Sequence, residues 1–340
     1  MSIFDGPILV TGGAGMIGSA LLWALNQRGH ENIIVADFLE SDDKWKNLAP
    51  LRFVRYIEAD QLFSSIDSGE LNAVQCIFHL GACSSTTETN AKYLIENNYE
   101  FTWRLAQWAI KTQKRFVYAS TAAVYGDGSA GMSDAPEQFG QHVPLNMYGY
   151  SKQLFDLHAH KQGWLDHIVG LRYFNVFGPN EYHKHDMQSM VAKAYRQIQD
   201  QGYVQLFKSY RQDVQDGHQQ RDFLYVKDAV DMTIHLAQHC GANGIFNLGS
   251  GKSSSWVELA ESVFAAANKP VNIKFIDMPA NLQKQYQYFT RADISRLRET
   301  GWNKTSFTLA DAVDDYVRIY LSHNRHLGQE IESNPRPLNR

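Results

Sequence analysis

A chain of 340 residues with 44% hydrophobic and 20% charged side chains has room for one large domain or two coupled ones, and this balance excludes disordered, collagen-like and coiled-coil classes. Thirty-two Lys and Arg against 36 Asp and Glu leave a formal net charge of −4, so no global basic field gathers nucleic acid or an anionic membrane, and any anionic ligand must be held locally. Cys76, Cys83 and Cys240 lack C-x-x-C spacing and predict neither a disulfide framework nor a zinc site; with no apolar run of spanning length and no leader pattern, the chain reads as soluble and cytoplasmic.

Short apolar, β-branched runs alternate with segments of helical periodicity through the first half. The pattern predicts strands near 7–11, 33–36, 53–57, 74–80, 115–119 and 168–173, and helices near 17–28, 61–68, 90–112 and 148–163. That rhythm belongs to a parallel sheet with crossover helices. Phe101, Leu105, Trp108 and Ala109 fall on one helical face and read as core. Past residue 175 polar helices and loops rich in Tyr, Gln and His predict a smaller, less regular unit, with isolated strands at 245–250 and 271–276. The Gln-rich segment 210–220 reads as a surface loop or flap, and the stretch after Leu327 as frayed or docked on a neighbour.

Chemistry first enters after the run ILV, where Gly12, Gly15 and Gly18 recur every three residues and open a helix. Such a turn needs positive φ, close backbone approach to a pyrophosphate and a helix packed without an intervening Cβ; amide N–H groups and the helix dipole then face the phosphates. Met16 and Ile17 belong to the same turn. Asp37, nineteen residues beyond Gly18, ends the second strand where a carboxylate reaches ribose hydroxyls, which favours NAD; Lys44 or Lys46 could instead neutralise a 2′-phosphate and admit NADP.

Tyr148 and Lys152 stand one helical turn apart. An ammonium beside a phenol stabilises the phenolate and lowers its pKa from about 10, so that it exchanges a proton with an alcohol near neutrality. Thr121, at the end of the strand RFVYAS, supplies a hydroxyl to the same oxygen. His158 with His160, and His183 with His185, are two residues apart and share no helix face, so no metal is expected.

The strings TGGAGMIG, HLGA, ASTAAVYG, YGYSK and LRYFNVFGP, in this order over about residues 7–320, resemble the extended short-chain dehydrogenase/reductases, the family of nucleotide-sugar epimerases and dehydratases. The resemblance implies a Rossmann-type α/β fold, a doubly wound parallel sheet, with residues 1–174 mainly binding NAD(P), a smaller α/β substrate domain over 175–325 that crosses back near 220–250, and a tail from 326 to 340. It implies a catalytic hydroxyl, base and support residue in Thr121, Tyr148 and Lys152. Further strings, among them GACSSTTE, PLNMYGYSK, RYFNVFGPNEYHK, RDFLYVKDAV and YQYFTRADI, are similar to the branch that inverts carbon 6 of ADP-linked heptoses, the supply of lipopolysaccharide core heptose.

By that likeness Lys184 is a second acid/base, and the cofactor, NADP with NAD as the other option, touches Phe38, Lys44, Leu80, Gly81, Ala82, Cys83, Ser84, Asn97, Lys152, Val176 and Lys184 besides the glycine turn and Asp37. The likeness assigns Asn175, Asp186, Lys193, Phe207, Arg221 and Tyr286 to the ADP-heptose-type substrate, and suggests a homo-oligomer, a pentamer by the family's example, with no nucleic-acid or membrane partner. Departures from the branch stand at Ala59, where a lysine is usual, at Asp186 and Lys193, and in a longer 208–220 loop. A UDP-hexose 4-epimerase would use the same Thr, Tyr and Lys; a dehydratase commonly carries an Asp-Glu pair where this chain has Ala122 and Ala123; a non-catalytic dinucleotide sensor would usually break the Tyr/Lys pair.

Overall fold

The computed structural model describes residues 3–39, 41–283 and 286–330. Tail residues 331–340 lie outside the described residues. The first half runs β1 (Ile8–Thr11), α1 (Met16–Gln27), β2 (Ile33–Asp37), α2 (Trp45–Leu48), β3 (Arg55–Glu58), α3 (Leu62–Asp67), β4 (Cys76–His79), α4 (Ala91–Leu94), α5 (Phe101–Lys111), β5 (Arg115–Thr121), α6 (Met147–Lys161) and β6 (Val169–Tyr173). Each strand and helix read from periodicity in this half is present, with ends shifted by a few residues. The second half holds β7 (Asn175–Phe177), α7 (Met190–Gln201), β8 (Val204–Phe207), β9 (Gln220–Arg221), β10 (Phe223–Tyr225), α8 (Val226–Gln238), β11 (Gly244–Leu248), β12 (Ser254–Ser255), α9 (Trp256–Ala266) and β13 (Ile273–Ile276) among its elements.

Seven parallel strands form one sheet in the order β11-β6-β5-β4-β1-β2-β3. Both of its faces are covered, so β1, β2, β4, β6 and β11 are buried at every position, while the edge strand β3 is largely exposed: Ile8 and Val10 point to a core shared with α1 and α8, while Leu9 between them points to one shared with α5 and α6. The strand read at 245–250 is β11, which returns from the second half to pair with β6. Small pairs β7·β10, β8·β13 and β9·β12 frame the remainder. The order reverses between β1 and β4, and at such a switch point the carboxyl ends of the strands open a crevice.

Under that crevice lies a buried ion pair. Arg172 on β6 and Asp156 on α6 are 2% and 1% exposed and meet at 3.1 Å. Asp156 also accepts from Ser120 Oγ and Tyr118 Oη, both at 2.9 Å, and Arg172 donates to Tyr125 Oη at 3.1 Å. With its lone pairs filled, the carboxylate bolts α6 to β5 and β6 in a layer where solvent cannot compensate a lost partner.

Candidate functional site

β1 delivers the chain into the turn Gly12–Gly15 directly over the switch point. Gly12 has φ +67°, and a Cβ there would lie 2.4 Å from the Gly81 nitrogen. A Cβ on Gly18 would sit 2.0 Å from the Gly12 carbonyl oxygen, which no rotamer relieves. The turn and the start of α1 are therefore backbone packed on backbone, and Gly18→Ala should abolish dinucleotide retention; a purified variant that still releases stoichiometric dinucleotide on denaturation would contradict this packing argument. No side chain caps α1 and no acid occupies its first turn, which leaves its N-terminal N–H groups for an anion.

Asp37, at the end of β2, accepts from Ala14 N at 2.8 Å and Phe38 N at 2.7 Å, and the Lys44 ammonium stands 3.4 Å away while also donating to the Phe38 carbonyl. On the other side of the turn, buried His79 joins Thr11 Oγ1 at 2.6 Å to Thr102 Oγ1 at 2.8 Å. Burial drops its pKa to about 3, so the ring is neutral and serves as a strut.

The glycine turn, Met16, Ile17, Asp37, Lys44, Leu80, Gly81, Ala82, Cys83 and Ser84 line one cavity of about 500 Å³, together with Thr121, Tyr148, Lys152, Val176 and Lys184. Of the residues expected at the cofactor, Phe38 and Asn97 are not among those lining it. Phe38 is 39% exposed beside Asp37. Asn97 turns its amide back to the Tyr93 carbonyl at 2.8 Å, while the neighbouring Asn98 is fully buried behind the cavity wall, accepting from Cys83 N at 2.9 Å and donating to Ser151 Oγ at 3.0 Å. A π-helical turn over Ile95–Glu100 gives the backbone this rotation. An α-helical reading of 90–112 does not tell which of the adjacent Asn97 and Asn98 faces inward.

Thr121 caps a short 3₁₀ turn, Ala123 N donating to its hydroxyl at 3.1 Å, and shares the cavity wall with Tyr148. Lys152 is 5% exposed and donates to the Ala119 carbonyl at 2.8 Å. Burial pulls its pKa down to about 8, against the opposing charge of Asp156. The expectation that this ammonium lowers the Tyr148 pKa is corrected: burial raises the phenol, the Thr121 hydroxyl opposes the rise, and the Lys152 ammonium donates to a β5 carbonyl. Lys184 enters from the segment after β7; burial lowers its pKa while Glu181 opposes that shift. His183 and Asp42, which sequence reasoning missed, line the same cavity.

Val176 and Met187 border both this cavity and a second one of about 510 Å³, so the two adjoin. Asn175, Lys193, Phe207 and Tyr286 line the second. Arg221 is 6% exposed, its guanidinium 5.1 Å from the Tyr286 ring and 5.6 Å from that of Trp256. It is not tied to Asp222, whose carboxylate accepts from Ser250, Gly251 and Ala292. A guanidinium walled by aromatic faces with donors to spare suits a phosphate. Asp186 is exposed, outside both cavities, and only its carbonyl engages Lys193, at 2.6 Å.

The glycine backbone packing, the uncapped helix start and the carboxylate–ammonium pair at β2 fit a nicotinamide dinucleotide. Residues 8–249 match the model of the NAD dependent epimerase/dehydratase family. The ADP-L-glycero-D-manno-heptose-6-epimerase of Nitratidesulfovibrio vulgaris (strain DP4) is 48% identical over 315 residues, 92% of this chain and 98% of that protein. The enzyme of the same name from Fusobacterium nucleatum is 43% identical over 325 residues, covering 93% and 98%. Among solved structures, the Helicobacter pylori ADP-L-glycero-D-manno-heptose-6-epimerase aligns with a TM-score of 0.75 at 27% identity, covering 93% of this chain and 96% of that one. The chain thus belongs to the NAD dependent epimerase/dehydratase family, on the branch of the ADP-L-glycero-D-manno-heptose-6-epimerases.

Proposed function

We propose that this protein is an isomerase that interconverts ADP-D-glycero- and ADP-L-glycero-D-manno-heptose by oxidation and re-reduction at carbon 6. The observation that carries the reading is the presence of two separate proton-handling groups, Tyr148 from α6 and Lys184 from the segment after β7, on the walls of one cavity. A dinucleotide held by the glycine turn would supply the hydride acceptor and donor for carbon 6. Tyr148 exchanges the hydroxyl proton of one carbon-6 epimer, with Thr121 orienting the phenol and Lys152 holding positive charge beneath it. Lys184 exchanges the hydroxyl proton of the other epimer, whose oxygen lies on the other side of the carbon, and solvent returns both groups to their starting protonation states. Two acid/base positions suit inversion, because the oxygen moves while the net redox change is zero.

Residues 1–174 with the returning β11 hold the dinucleotide, and residues 175–325 mainly hold the substrate, its pyrophosphate at Arg221 and its adenosine against Tyr286 and Phe207. Asn175 and Lys193 complete that wall. The test is direct: the purified protein is denatured, the released dinucleotide identified, and the native protein assayed for carbon-6 epimerisation of ADP-heptose. Absence of any dinucleotide, or 4-epimerisation of UDP-hexoses without action on ADP-heptose, would overturn the reading.

We also infer that the dinucleotide is NADP. Asp37 is engaged by two backbone amides and partly neutralised by Lys44, which leaves an ammonium for a 2′-phosphate. Lys44→Ala is expected to weaken NADP roughly tenfold or more and NAD much less, as a charge-assisted contact of about 1.5–3 kcal/mol requires. Equal losses for both dinucleotides in a binding titration would reject the assignment.

A further inference from the structure

Away from the reacting groups, a buried amide joins three parts of the chain. Asn47, 1% exposed on α2, donates from Nδ2 to the Ala14 carbonyl at 2.9 Å and the Asn180 carbonyl at 3.1 Å. Its Oδ1 lies 2.7 Å from His326 Nδ1. Ala14 is the middle of the glycine turn, and its own N–H is spent on Asp37. Asn180 begins the segment that carries Lys184 and is itself held by Ser19 Oγ of α1 at 2.9 Å and by Leu327 N at 2.9 Å.

The chemistry dictates which way this amide faces. Two carbonyl oxygens can only accept, so Nδ2 must face them, and Oδ1 is left for a donor. His326 supplies it: burial lowers its pKa, and the neutral ring must then carry its proton on Nδ1. The ring is 7% exposed and packs edge-on against Tyr182, whose hydroxyl donates to the Arg325 carbonyl at 3.0 Å. The far end of the Lys184 segment is tied separately, since Glu181 accepts from Ser189 N and Oγ at 2.5 and 2.6 Å. Between those ties His185 is forced to φ +42°. A segment bent against its backbone preference keeps its shape only while its anchors hold.

We propose that His326 is a positioning residue for the reaction: through Asn47 it sets the separation between the glycine turn and the Lys184 segment, touching neither dinucleotide nor substrate. The inference rests on the proposed roles of those two elements. Removing the Nδ1–H leaves a buried Oδ1 without a donor and lets the amide rotate, which disturbs both carbonyl contacts together.

The test uses the full chain with three variants, His326→Ala, His326→Asn and Asn47→Asp. His326→Ala should bind the oxidised dinucleotide about tenfold more weakly and lower kcat with KM for the nucleotide-sugar little changed. His326→Asn, whose Nδ2 stands close to where Nδ1 stood, should restore both. Asn47→Asp, which loses the donors to Ala14 and Asn180, should be at least as impaired as His326→Ala. Unchanged dinucleotide affinity in His326→Ala, or equal losses in the Ala and Asn variants, would overturn the proposal. If the unmodified protein epimerises nothing, the proposed function fails, while the dinucleotide titrations still decide this inference; circular dichroism at the assay temperature separates loss of affinity from loss of fold.

Discussion

Replacing Tyr148 by Phe should leave a folded protein that retains its dinucleotide yet epimerises at least on the order of 10³-fold more slowly, near the upper part of the range for loss of a positioned acid/base. The ring is retained, so the packing of α6 against the 3₁₀ turn after β5 is unaffected, and only the hydroxyl that meets Thr121 is lost. The loss should fall on kcat, with KM nearly constant, because the phenol acts on a proton in transit rather than on the bound sugar. Steady-state kinetics together with dinucleotide release on denaturation would check this. Turnover within tenfold of the unmodified protein would remove Tyr148 from the chemistry.

Asp156→Asn should be the most damaging change to stability outside the glycine turn. It leaves Arg172, 2% exposed, without its counter-charge and halves the acceptor capacity that Ser120 and Tyr118 use. Breaking a buried pair from one side costs about 3–5 kcal/mol. Urea unfolding should show stability lowered by that amount, read as a lower midpoint at an unchanged slope, and a loss below about 1 kcal/mol would mean that the pair is idle. The same substitution has a second reading in pH. Lys152 titrates near pH 8 because burial outweighs the attraction of Asp156. Activity that needs its ammonium is complete below that pH and falls as pH rises through it. Without the carboxylate the amine is easier still to deprotonate, so the alkaline limb should move to lower pH in Asp156→Asn.

The parts legible in the sequence were those whose physics is local. Glycines at 12, 15 and 18, the strand-end Asp37 and the Tyr148/Lys152 spacing each follow from a few adjacent residues, and the structure gathers them at one sheet reversal. What escaped depends on contacts between distant segments or on half-turn rotations. A π turn decided between Asn97 and Asn98. The carbonyl of Ala119 on β5 accepts from the Lys152 ammonium that was expected beside the phenol. The Asn47–His326 contact spans 279 residues, and no periodicity or motif spacing carries such information.

The late return of β11 also bears on how the molecule is made. While a ribosome is still adding residues 174–243, the strand Val169–Tyr173 has one backbone edge without its final neighbour, although all five of its residues are buried in the finished protein. Such an apolar, unpaired edge is a template for association with other nascent chains. Product truncated before Gly244 should therefore accumulate as aggregate, and chaperone demand should ease once Leu248 has cleared the exit tunnel.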